Sequence, residues 1–273
     1  MTKDETKKLQ KLLNKLGHNP GIIDGIWGPK TKGALNASLS SSIPTCEPED
    51  YIPGIDISAY NGEIDWDLVA KSDFKWSICK QSEGTTHANK RREENLKNAR
   101  SVGIKTGGYH FARPDTYTSL QMQDATDEAE NFLRCYHHDP SDLYPSLDLE
   151  SGLLRNNHSY NVDFINQWCY TVEQELGLQP RRIIMYTARW ATVSRIIKAE
   201  PGLLNQLSEH PLWWAEYNET SEPDPVKSLS PWKTWAIHQW TGHGSVPGIT
   251  GNKGRVDLNK MKPDMLEKLL ISP

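Results

Sequence analysis

From Tyr51 onward, short apolar runs alternate with helical stretches, and this pattern limits the folds that the chain can adopt. Eight runs have the length and composition of strands: Gly54–Ser58, Trp76–Gln81, Lys105–Phe111, Leu143–Leu149, Arg182–Thr187, Leu212–Tyr217, Trp235–Trp240 and Arg255–Leu258. Helical periodicity falls between several of them, at Glu93–Val102, Ala125–Tyr136, Asp163–Leu176 and Arg189–Lys198. Repeated β/α units with eight strands predict an α/β fold, a TIM-like β/α barrel. The last three strands are joined by segments with little helical periodicity, so we expect an irregular barrel.

The N-terminal residues predict a small helical module. Thr2 and Glu5 have the spacing of a capping box, and leucines at helical spacing follow until Gly17. Tight-turn glycines come next, and Pro29 can open a second helix that continues through Ala37.

A segment rich in serine, proline and acidic residues, 39–50, follows this module and is typical of a linker. We therefore expect a helical module at 1–38 and a barrel domain at 51–273. The first residues are charged and amphipathic and lack the apolar run of a signal peptide. This favours synthesis in the cytoplasm without Sec export.

Charge and composition argue against several classes of function. The net charge is -4 and the pI is about 6.1, which argues against nucleic acid or an anionic membrane as the main partner. No apolar run reaches the roughly 18 residues of a membrane span, so we expect no membrane insertion. The cysteines are widely scattered, without zinc-site spacing, and we expect free thiols and neither metal nor cofactor. They are Cys46, Cys79, Cys135 and Cys169.

The segment YPSLDLES, residues 144–151, ends an apolar run with two acids separated by one leucine. If the run is a strand, Asp148 and Glu150 project from one face while Leu147 and Leu149 point to the other. Two carboxylates at the end of a buried strand repel each other and resist desolvation. One of them should therefore have a raised pKa, as a general acid near neutral pH requires. An acidic strand end whose charges are solvated is the alternative.

Polar residues lie at the C-terminal end of every predicted strand, where the βα loops of a barrel build the active site. In strand order they are Asp56 and Ser58; Lys80; Tyr109 and His110; Asp148 and Glu150; Tyr186; Trp213, Glu216 and Tyr217; His238 and Gln239; Asp257 and Asn259. Four strands thus bring an acid toward one rim. A random surface would scatter acids evenly, so this concentration indicates a catalytic site.

The barrel sequence contains, in this order, the segments GIDISAYNGEIDW, ICKQSEG, GGYHFARP, YPSLDLES, MYT, LWWAEYN, HQW and RVDLN. Together they resemble glycoside hydrolase family 25, the lysozyme-type muramidases of bacteria, phages and some fungi. The resemblance implies a flattened, irregular barrel that cleaves the β-1,4 bond between N-acetylmuramic acid and N-acetylglucosamine in bacterial peptidoglycan. It also implies that Asp56, Asp148, Glu150 and Asp257 are the catalytic carboxyl groups.

The N-terminal module resembles a peptidoglycan-binding module, in which D-G-x-[FW]-G-x-x-T follows a leucine-rich helix. The matching residues are Asp24, Gly25, Trp27, Gly28 and Thr31. The resemblance implies that the module tethers the barrel to the cell wall, which raises the local concentration of the enzyme on its polymer. Together with the missing signal peptide, it favours a phage or prophage endolysin that reaches the wall through a holin-like partner.

The positions of the two acids in YPSLDLES predict their roles. Glu150 lies nearer the mouth and is assigned as the general acid, while Asp148 should stay ionised and stabilise positive charge near the sugar. An enzyme carboxylate, a water molecule or the substrate's N-acetyl oxygen could be the nucleophile. The D-x-E arrangement favours the N-acetyl oxygen, oriented by Asp148, with net retention. Asp56 and Asp257 would bracket the pair, tune the proton on Glu150 and bind sugar hydroxyls.

Other rim residues are candidates for substrate binding. Stacking and hydroxyl contacts are assigned to Tyr109, Tyr186, Trp213 and Tyr217, with packing as the alternative for each. Lys80 could contact the acidic lactyl or peptide part of muramic acid, or it could pair with a rim acid. His110 and His238 have no third ligand at a known spacing, which favours core histidines over a metal site.

Two rival functions stay open. A chitin-directed β/α-barrel glycosidase would share the D-x-E chemistry, and it would release reducing ends from chitin but not from peptidoglycan. A non-catalytic wall-binding protein could retain the same fold. The presence of all four carboxyl groups argues against that second alternative.

Overall fold

The computed structural model of the chain describes residues 2–15, 18–41, 51–114, 121–154, 156–217 and 229–271. The chain divides into two compact units, Met1–Cys46 and Glu47–Pro273. The predicted linker at 39–50 overlaps the end of a helix that extends to Ser41, and its residues 42–50 lie outside the described ranges. Among the described residues, no helix is long and apolar enough to cross a membrane.

The first unit contains two helices, α1 (Lys3–Lys15) and α2 (Pro29–Ser41). The predicted capping box at the start of α1 is confirmed. The backbone N–H of Glu5 donates to Thr2 Oγ1 at 3.2 Å, and the backbone N–H of Thr2 donates to Glu5 Oε2 at 2.7 Å. Helix α2 begins at Pro29, as predicted, and runs past the predicted end at Ala37.

The buried side chain of Gln10 contacts the described part of the loop between these helices. Its amide nitrogen donates to Asp24 Oδ1, the Ile26 carbonyl and Thr31 Oγ1 at 3.0–3.2 Å. Its amide oxygen accepts from the backbone N–H of Gly25 at 2.8 Å. The residues of the D-G-x-W-G-x-x-T pattern are therefore organised around α1.

The described residues of the second unit form nine strands and seven α-helices. The strands are β1 (Ile52–Ile57), β2 (Trp76–Glu83), β3 (His87–Ala88), β4 (Lys105–Phe111), β5 (Ser146–Leu149), β6 (Ile184–Ala188), β7 (Leu212–Ala215), β8 (Ile237–Gly244) and β9 (Val256–Met261). The helices are α3 (Trp66–Ala70), α4 (Arg92–Ser101), α5 (Gln121–His138), α6 (His158–Glu175), α7 (Arg189–Arg195), α8 (Pro201–Leu207) and α9 (Met265–Leu269).

Eight of these strands close into a barrel, which confirms the predicted fold class. Neighbouring strands follow the order β1, β2, β4, β5, β6, β7, β8, β9, and β9 returns to β1. All pairs from β1 to β8 in this circuit are parallel, whereas β9 is antiparallel to both of its neighbours. The short strand β3 lies outside the circuit and pairs with the end of β2.

The direction of β9 corrects one sequence prediction. Asp257 and Asn259 were assigned to the C-terminal end of the last strand, but they lie near its start, and the strand continues to Met261. Only a short segment without an α-helix joins β8 to β9, and a parallel return needs a longer crossover. Because β9 runs in the opposite direction, its beginning lies at the rim where the parallel strands end. Asp257 is therefore paired with Asp56 of β1.

Three short helices, α3, α8 and α9, were not predicted. Each has only five to seven residues. A helix with fewer than two full turns shows little of the repeat of apolar positions that identifies a helix in a sequence.

The two faces of the strands have different environments. Leu147 and Leu149 of β5 belong to a buried cluster that also contains Phe132 of α5 and Trp168 of α6. A second cluster contains apolar residues from alternate strand positions, including Trp76, Ile78, Ile184, Ile237 and Met261. The period of two then places Lys80, Tyr186, Gln239 and Asn259 further along the same faces. An apolar barrel base thus supports a polar mouth.

Candidate active site

A pocket of about 170 Å³ lies at the mouth of the barrel. It is lined by Asp56, Tyr109, Asp148, Glu150, Tyr186, Trp213, Tyr217, Gln239 and Asp257. The structure therefore brings together eight of the nine predicted site residues, and Lys80 is the exception. Side chains from seven strands and from the segments that follow β5 and β7 meet here, which requires the closed barrel.

Asp148 is the most enclosed member of the D-x-E pair, with 5% of its surface exposed. It lies on β5 between Phe111 of β4 and Tyr186 of β6. Its Oδ1 atom is buried and has no hydrogen-bond partner among the described residues. Burial, followed by the negative charge of Glu150, holds the pKa of Asp148 well above its usual range. The expected ionised state of Asp148 is thus disfavoured in the free protein.

Glu150 follows the last residue of β5 and is partly exposed at the pocket mouth. Burial raises the pKa of its carboxyl group, and the nearby charge of Lys80 opposes this rise. The turn after Glu150 packs tightly on the neighbouring β4 end, because a Cβ at Gly152 would lie 1.8 Å from the carbonyl oxygen of Ala112. Glycine at this position lets Glu150 leave the strand directly beside Asp148.

Asp56 and Asp257 form the second pair of acids in the pocket. They are direct cross-strand partners on β1 and β9. The Oδ2 atom of Asp56 accepts hydrogen bonds from Gln239 Nε2 at 2.8 Å and Asn259 Nδ2 at 2.7 Å. Burial and the charge of Asp257 raise the pKa of Asp56 well above its usual range, against the opposing effect of the two amides. Burial also raises the pKa of Asp257, to about 6.

The two amides belong to a larger network that the sequence did not reveal. The hydroxyls of Tyr186 and Tyr217 donate to Gln239 Oε1 at 3.0 and 3.1 Å. The indole N–H of Trp213 donates to Asn259 Oδ1 at 2.7 Å. Gln239 and Asn259 were noted at strand ends, but no role was assigned to them. The two-residue spacing of Asn259 from Asp257 on one strand face was the available signal.

The aromatic residues of the pocket also pack against one another. The Trp213 ring lies 4.8 Å from the Tyr186 ring and 6.4 Å from the Tyr109 ring, measured between centroids. Burial raises the pKa of both tyrosine hydroxyls well above the usual value, so they remain hydrogen-bond donors. The two roles considered for these residues, pocket lining and packing, therefore occur together.

Lys80 does not line this pocket. Its Nζ atom lies 2.5 Å from Glu83 Oε2, and Arg113 Nε lies 2.6 Å from the other oxygen of Glu83. Lys80 lines a neighbouring hollow with Tyr60 and Asn89, among others. The ion pair with a rim acid, one of its two predicted roles, is therefore present.

Comparison with known proteins identifies the barrel. The sequence model of glycosyl hydrolases family 25 matches residues 55–249, more than two thirds of the chain, and the putative peptidoglycan binding domain matches residues 2–37. The chain belongs to glycoside hydrolase family 25. It is therefore a glycosidase of the lysozyme and muramidase family.

Relatives within the family agree with this assignment. Lysozyme M1 of Streptomyces globisporus is 27% identical over 89% of this chain and 80% of its own length. The autolytic lysozyme of Clostridium acetobutylicum is 25% identical over 78% of this chain and 56% of its own. The crystal structure of the bacterial lysozyme of Streptomyces coelicolor superposes with a TM-score of 0.63 at 25% identity, covering 80% of this chain and 96% of the other.

The two histidines considered as metal ligands in the family 25 barrel, His110 and His238, are core residues, as predicted. His110 accepts from Ser82 Oγ at Nδ1 and donates from Nε2 to Glu128 Oε2, both at 2.7 Å, and all three residues are fully buried. Burial lowers the pKa of His110 to about 3, so the ring is neutral. His238 donates from Nε2 to the carbonyl of Glu216 at 2.9 Å.

Metal and disulfide sites are absent from the described part of the chain. No group of three or more histidine, cysteine or acidic side chains there could hold a metal ion. Cys79, Cys135 and Cys169 are buried free thiols, and Cys46 lies outside the described residues. The side chains that line the pocket at the barrel mouth carry carboxyl, amide, phenol and indole groups.

Proposed function

We propose that this enzyme hydrolyses the β-1,4 bond between N-acetylmuramic acid and N-acetylglucosamine in bacterial peptidoglycan, with net retention. The observation that carries the proposal is the pairing of a buried carboxyl group, Asp148, with a partly exposed one, Glu150, in one pocket. Two carboxyl groups with different surroundings are what glycoside hydrolysis requires.

Glu150 is proposed as the proton donor. It lies at the pocket mouth, where it can contact the glycosidic oxygen, and its raised pKa keeps a proton available at higher pH than an exposed glutamate could. As the bond between C1 and this oxygen breaks, the proton moves from Glu150 to the departing sugar. Glu150 then has the charge needed to accept a proton from the water that completes hydrolysis.

Asp148 is proposed to orient the substrate's N-acetyl group. Its buried Oδ1 atom has no partner among the described residues and can accept the amide N–H of that group. The N-acetyl oxygen then forms a bond to C1 as the glycosidic bond breaks, and the amide becomes positively charged. This positive charge would favour ionisation of Asp148 in the transition state, although burial favours the protonated form in the free enzyme.

Asp56 and Asp257 are proposed to stabilise the site from its opposite side. Burial raises the pKa values of Asp56, Asp148 and Glu150, and the charges of Asp56 and Asp257 add to this rise. The hydrogen bonds from Gln239 and Asn259 fix one oxygen of Asp56 and leave the other for substrate hydroxyls. Tyr186 and Tyr217 are proposed to contact the sugar from the same network.

Mass spectrometry of muropeptides tests the bond that is cleaved. Digestion of purified peptidoglycan should release products with reducing-end N-acetylmuramic acid. Reducing-end N-acetylglucosamine or free peptides would contradict the proposal, and activity on chitin alone would support the chitinase alternative. Proton NMR of the first-formed product should show the β-anomer, and its absence would refute net retention.

The first unit is proposed to bind the wall as a module covering residues 1–38. Its match to a peptidoglycan-binding family and its exposed apolar side chains support this role; Ile22, Ile26 and Trp27 are 81%, 62% and 38% exposed. A Trp27→Ala variant of the full chain should sediment less with purified walls and retain its turnover on soluble glycan. Equal sedimentation would contradict this role. Phage origin, cytoplasmic synthesis and a holin-like partner stay predictions.

A further inference from the structure

A second hollow, of about 600 Å³, adjoins the catalytic pocket and shares Glu150, Tyr186 and Tyr217 with it. Its outer wall contains Trp190 and Val193, which lie three residues apart on one face of α7. The acids Asp56, Asp148 and Asp257 do not line it. The hollow is thus continuous with the catalytic pocket and lies on the outer side of Glu150.

Exposed apolar side chains concentrate at this hollow. Among the described residues of the barrel, six large apolar side chains are exposed: Tyr60, Leu68, Tyr170, Trp190, Val193 and Tyr217. The last three line the hollow. Trp190 and Val193 are each 49% exposed and Tyr217 is 58% exposed. Apolar surface grouped beside a catalytic pocket indicates a binding surface rather than packing.

The Trp190 ring is held from within the protein. The guanidinium carbon of Arg195 lies 4.9 Å from the ring centroid, and Arg195 is itself buried. Arg195 Nε donates to the Leu153 carbonyl at 3.0 Å and Nη1 donates to Ser194 Oγ at 2.6 Å. A cation fixed in this way stabilises one ring orientation. The exposed part of the ring is therefore a preorganised flat surface, which lowers the entropic cost of binding.

The chemistry of the hollow suits a sugar ring. Its aromatic and aliphatic side chains can cover the C–H face of a pyranose, while the polar side chains of Arg189 and Glu216 lie in the same lining and can bind hydroxyls. The position of the hollow relative to Glu150 identifies which sugar of the substrate it can bind. The proton donor must lie between the two sugars that it separates, and Asp148 marks the deep side of Glu150 as the place of the sugar under attack.

We infer that Trp190, with Val193 and Tyr217, binds the leaving-group sugar on the outer side of Glu150. The inference rests on the proposed function, in which this sugar is the N-acetylglucosamine residue. A substrate that lacks a leaving-group sugar should therefore be insensitive to the loss of the Trp190 ring.

The test compares two substrates with three variants of the full chain. One substrate is peptide-free glycan strands; the other is the β-fluoride of the N-acetylglucosaminyl–N-acetylmuramic acid disaccharide, which has no leaving-group sugar. Trp190→Ala should lower kcat/KM on strands roughly tenfold. On the fluoride it should change kcat/KM by less than about twofold. Trp190→Phe should restore most of the activity on strands. Tyr170→Ala removes an aromatic ring that is 61% exposed on α6 and should change neither.

Two results would overturn this inference without contradicting the proposed function. The first is a Trp190→Ala variant that cleaves strands as fast as the wild type, while the wild type releases reducing-end N-acetylmuramic acid. The second is an equal loss on strands and fluoride, since this would mean that Trp190 supports the catalytic pocket itself. A wild-type enzyme that cleaves neither substrate would instead refute the proposed function, and the inference with it.

Discussion

Asn259 connects the catalytic acids to the barrel wall, and its replacement tests the pocket network. The residue is 1% exposed. Its amide nitrogen donates to Asp56 Oδ2 at 2.7 Å, and its amide oxygen accepts from Trp213 Nε1 at 2.7 Å. Leucine has the same number of side-chain heavy atoms and the same branching, and it can make neither bond, so Asn259→Leu removes both.

The expected magnitude follows from the groups left behind. A buried indole N–H without an acceptor costs about 1–3 kcal/mol, and a hydrogen bond contributes about 0.5–1.5 kcal/mol to a neutral group and about 1.5–3 kcal/mol to a charged one. The burial of additional apolar surface by leucine offsets part of this loss. The unfolding free energy of the barrel should therefore fall by about 3 kcal/mol. Since the Asn259 amide lowers the pKa of Asp56, that pKa should rise further in the variant.

Asn259→Asp is the matched control. It keeps an acceptor for Trp213 but puts a second carboxyl group against Asp56, so the two must share a proton. Their pKa values then lie above those of the unfolded chain, and the folded state binds more protons. The variant should be most stable near pH 4 and lose stability as the pH rises toward about 8. The loss in Asn259→Leu should depend much less on pH.

Denaturant titration followed by tryptophan fluorescence measures these changes, because nine of the ten tryptophans belong to the barrel unit. A decrease of less than about 0.5 kcal/mol in Asn259→Leu would refute the reasoning, since the two hydrogen bonds would then contribute nothing measurable. The same pH dependence in both variants would show that Asp56 does not interact with the side chain at position 259.

Three further predictions concern other parts of the chain. Ser82→Ala should lower the unfolding free energy by about 1–3 kcal/mol, because it leaves the buried Nδ1 of His110 without a donor. Turnover should not change in this variant, and a loss of turnover would place Ser82 in the catalytic machinery. Asp148→Asn should raise Tm near pH 7 while reducing activity. The pKa of Asp148 is higher in the folded than in the unfolded state, so its burial destabilises the protein at pH values above the unfolded-state pKa. The gain in Tm should therefore disappear near pH 4. An equal change in Tm at pH 7 and pH 4 would contradict this prediction. Gln10→Leu should unfold the first unit and thereby reduce sedimentation of the protein with cell walls. The unfolding should be detected as faster proteolysis of the first unit, and an unchanged rate of proteolysis would contradict the prediction.

The strand-end acids could be predicted because their signal is local. In YPSLDLES the alternation of leucine and acid assigns the leucines to the buried cluster and the acids to the opposite face. The structure has this arrangement, with Leu147 and Leu149 in the core and Asp148 and Glu150 in one pocket. A two-residue period persists over a short strand whatever its neighbours are, so tertiary contacts did not change it.

Lys80 shows where this local rule fails. Lys80 and Glu83 are three residues apart, and side chains at this spacing on a regular strand point to opposite faces. The pairing of β2 with β4 shifts register between Lys80 and Ser82, and the ion pair between Lys80 and Glu83 lies across this irregularity. A β-bulge inserts an extra residue on one strand, and the sequence contains no turn residue that would announce it.

The direction of β9 and the roles of Gln239 and Asn259 required the closed barrel. Residues 56 and 259 are far apart in sequence, and only the β1–β9 pairing brings their side chains to 2.7 Å. The amides were visible at predicted strand ends, but their donors and acceptors lie on other strands. Pairing between distant segments is the part of the fold that local patterns do not encode.

The central claim is that Glu150 donates the proton to the departing sugar, and a leaving group that needs little protonation tests it most directly. On peptide-free glycan strands, Glu150→Gln should lower kcat by about 10²–10⁴-fold. On the disaccharide β-fluoride, the fall in kcat caused by Glu150→Gln should be at least roughly tenfold smaller than on glycan strands. Asp148→Asn should instead lose activity on both substrates. Equal losses of Glu150→Gln on strands and fluoride, or full activity on strands, would contradict the assignment of Glu150 as the general acid.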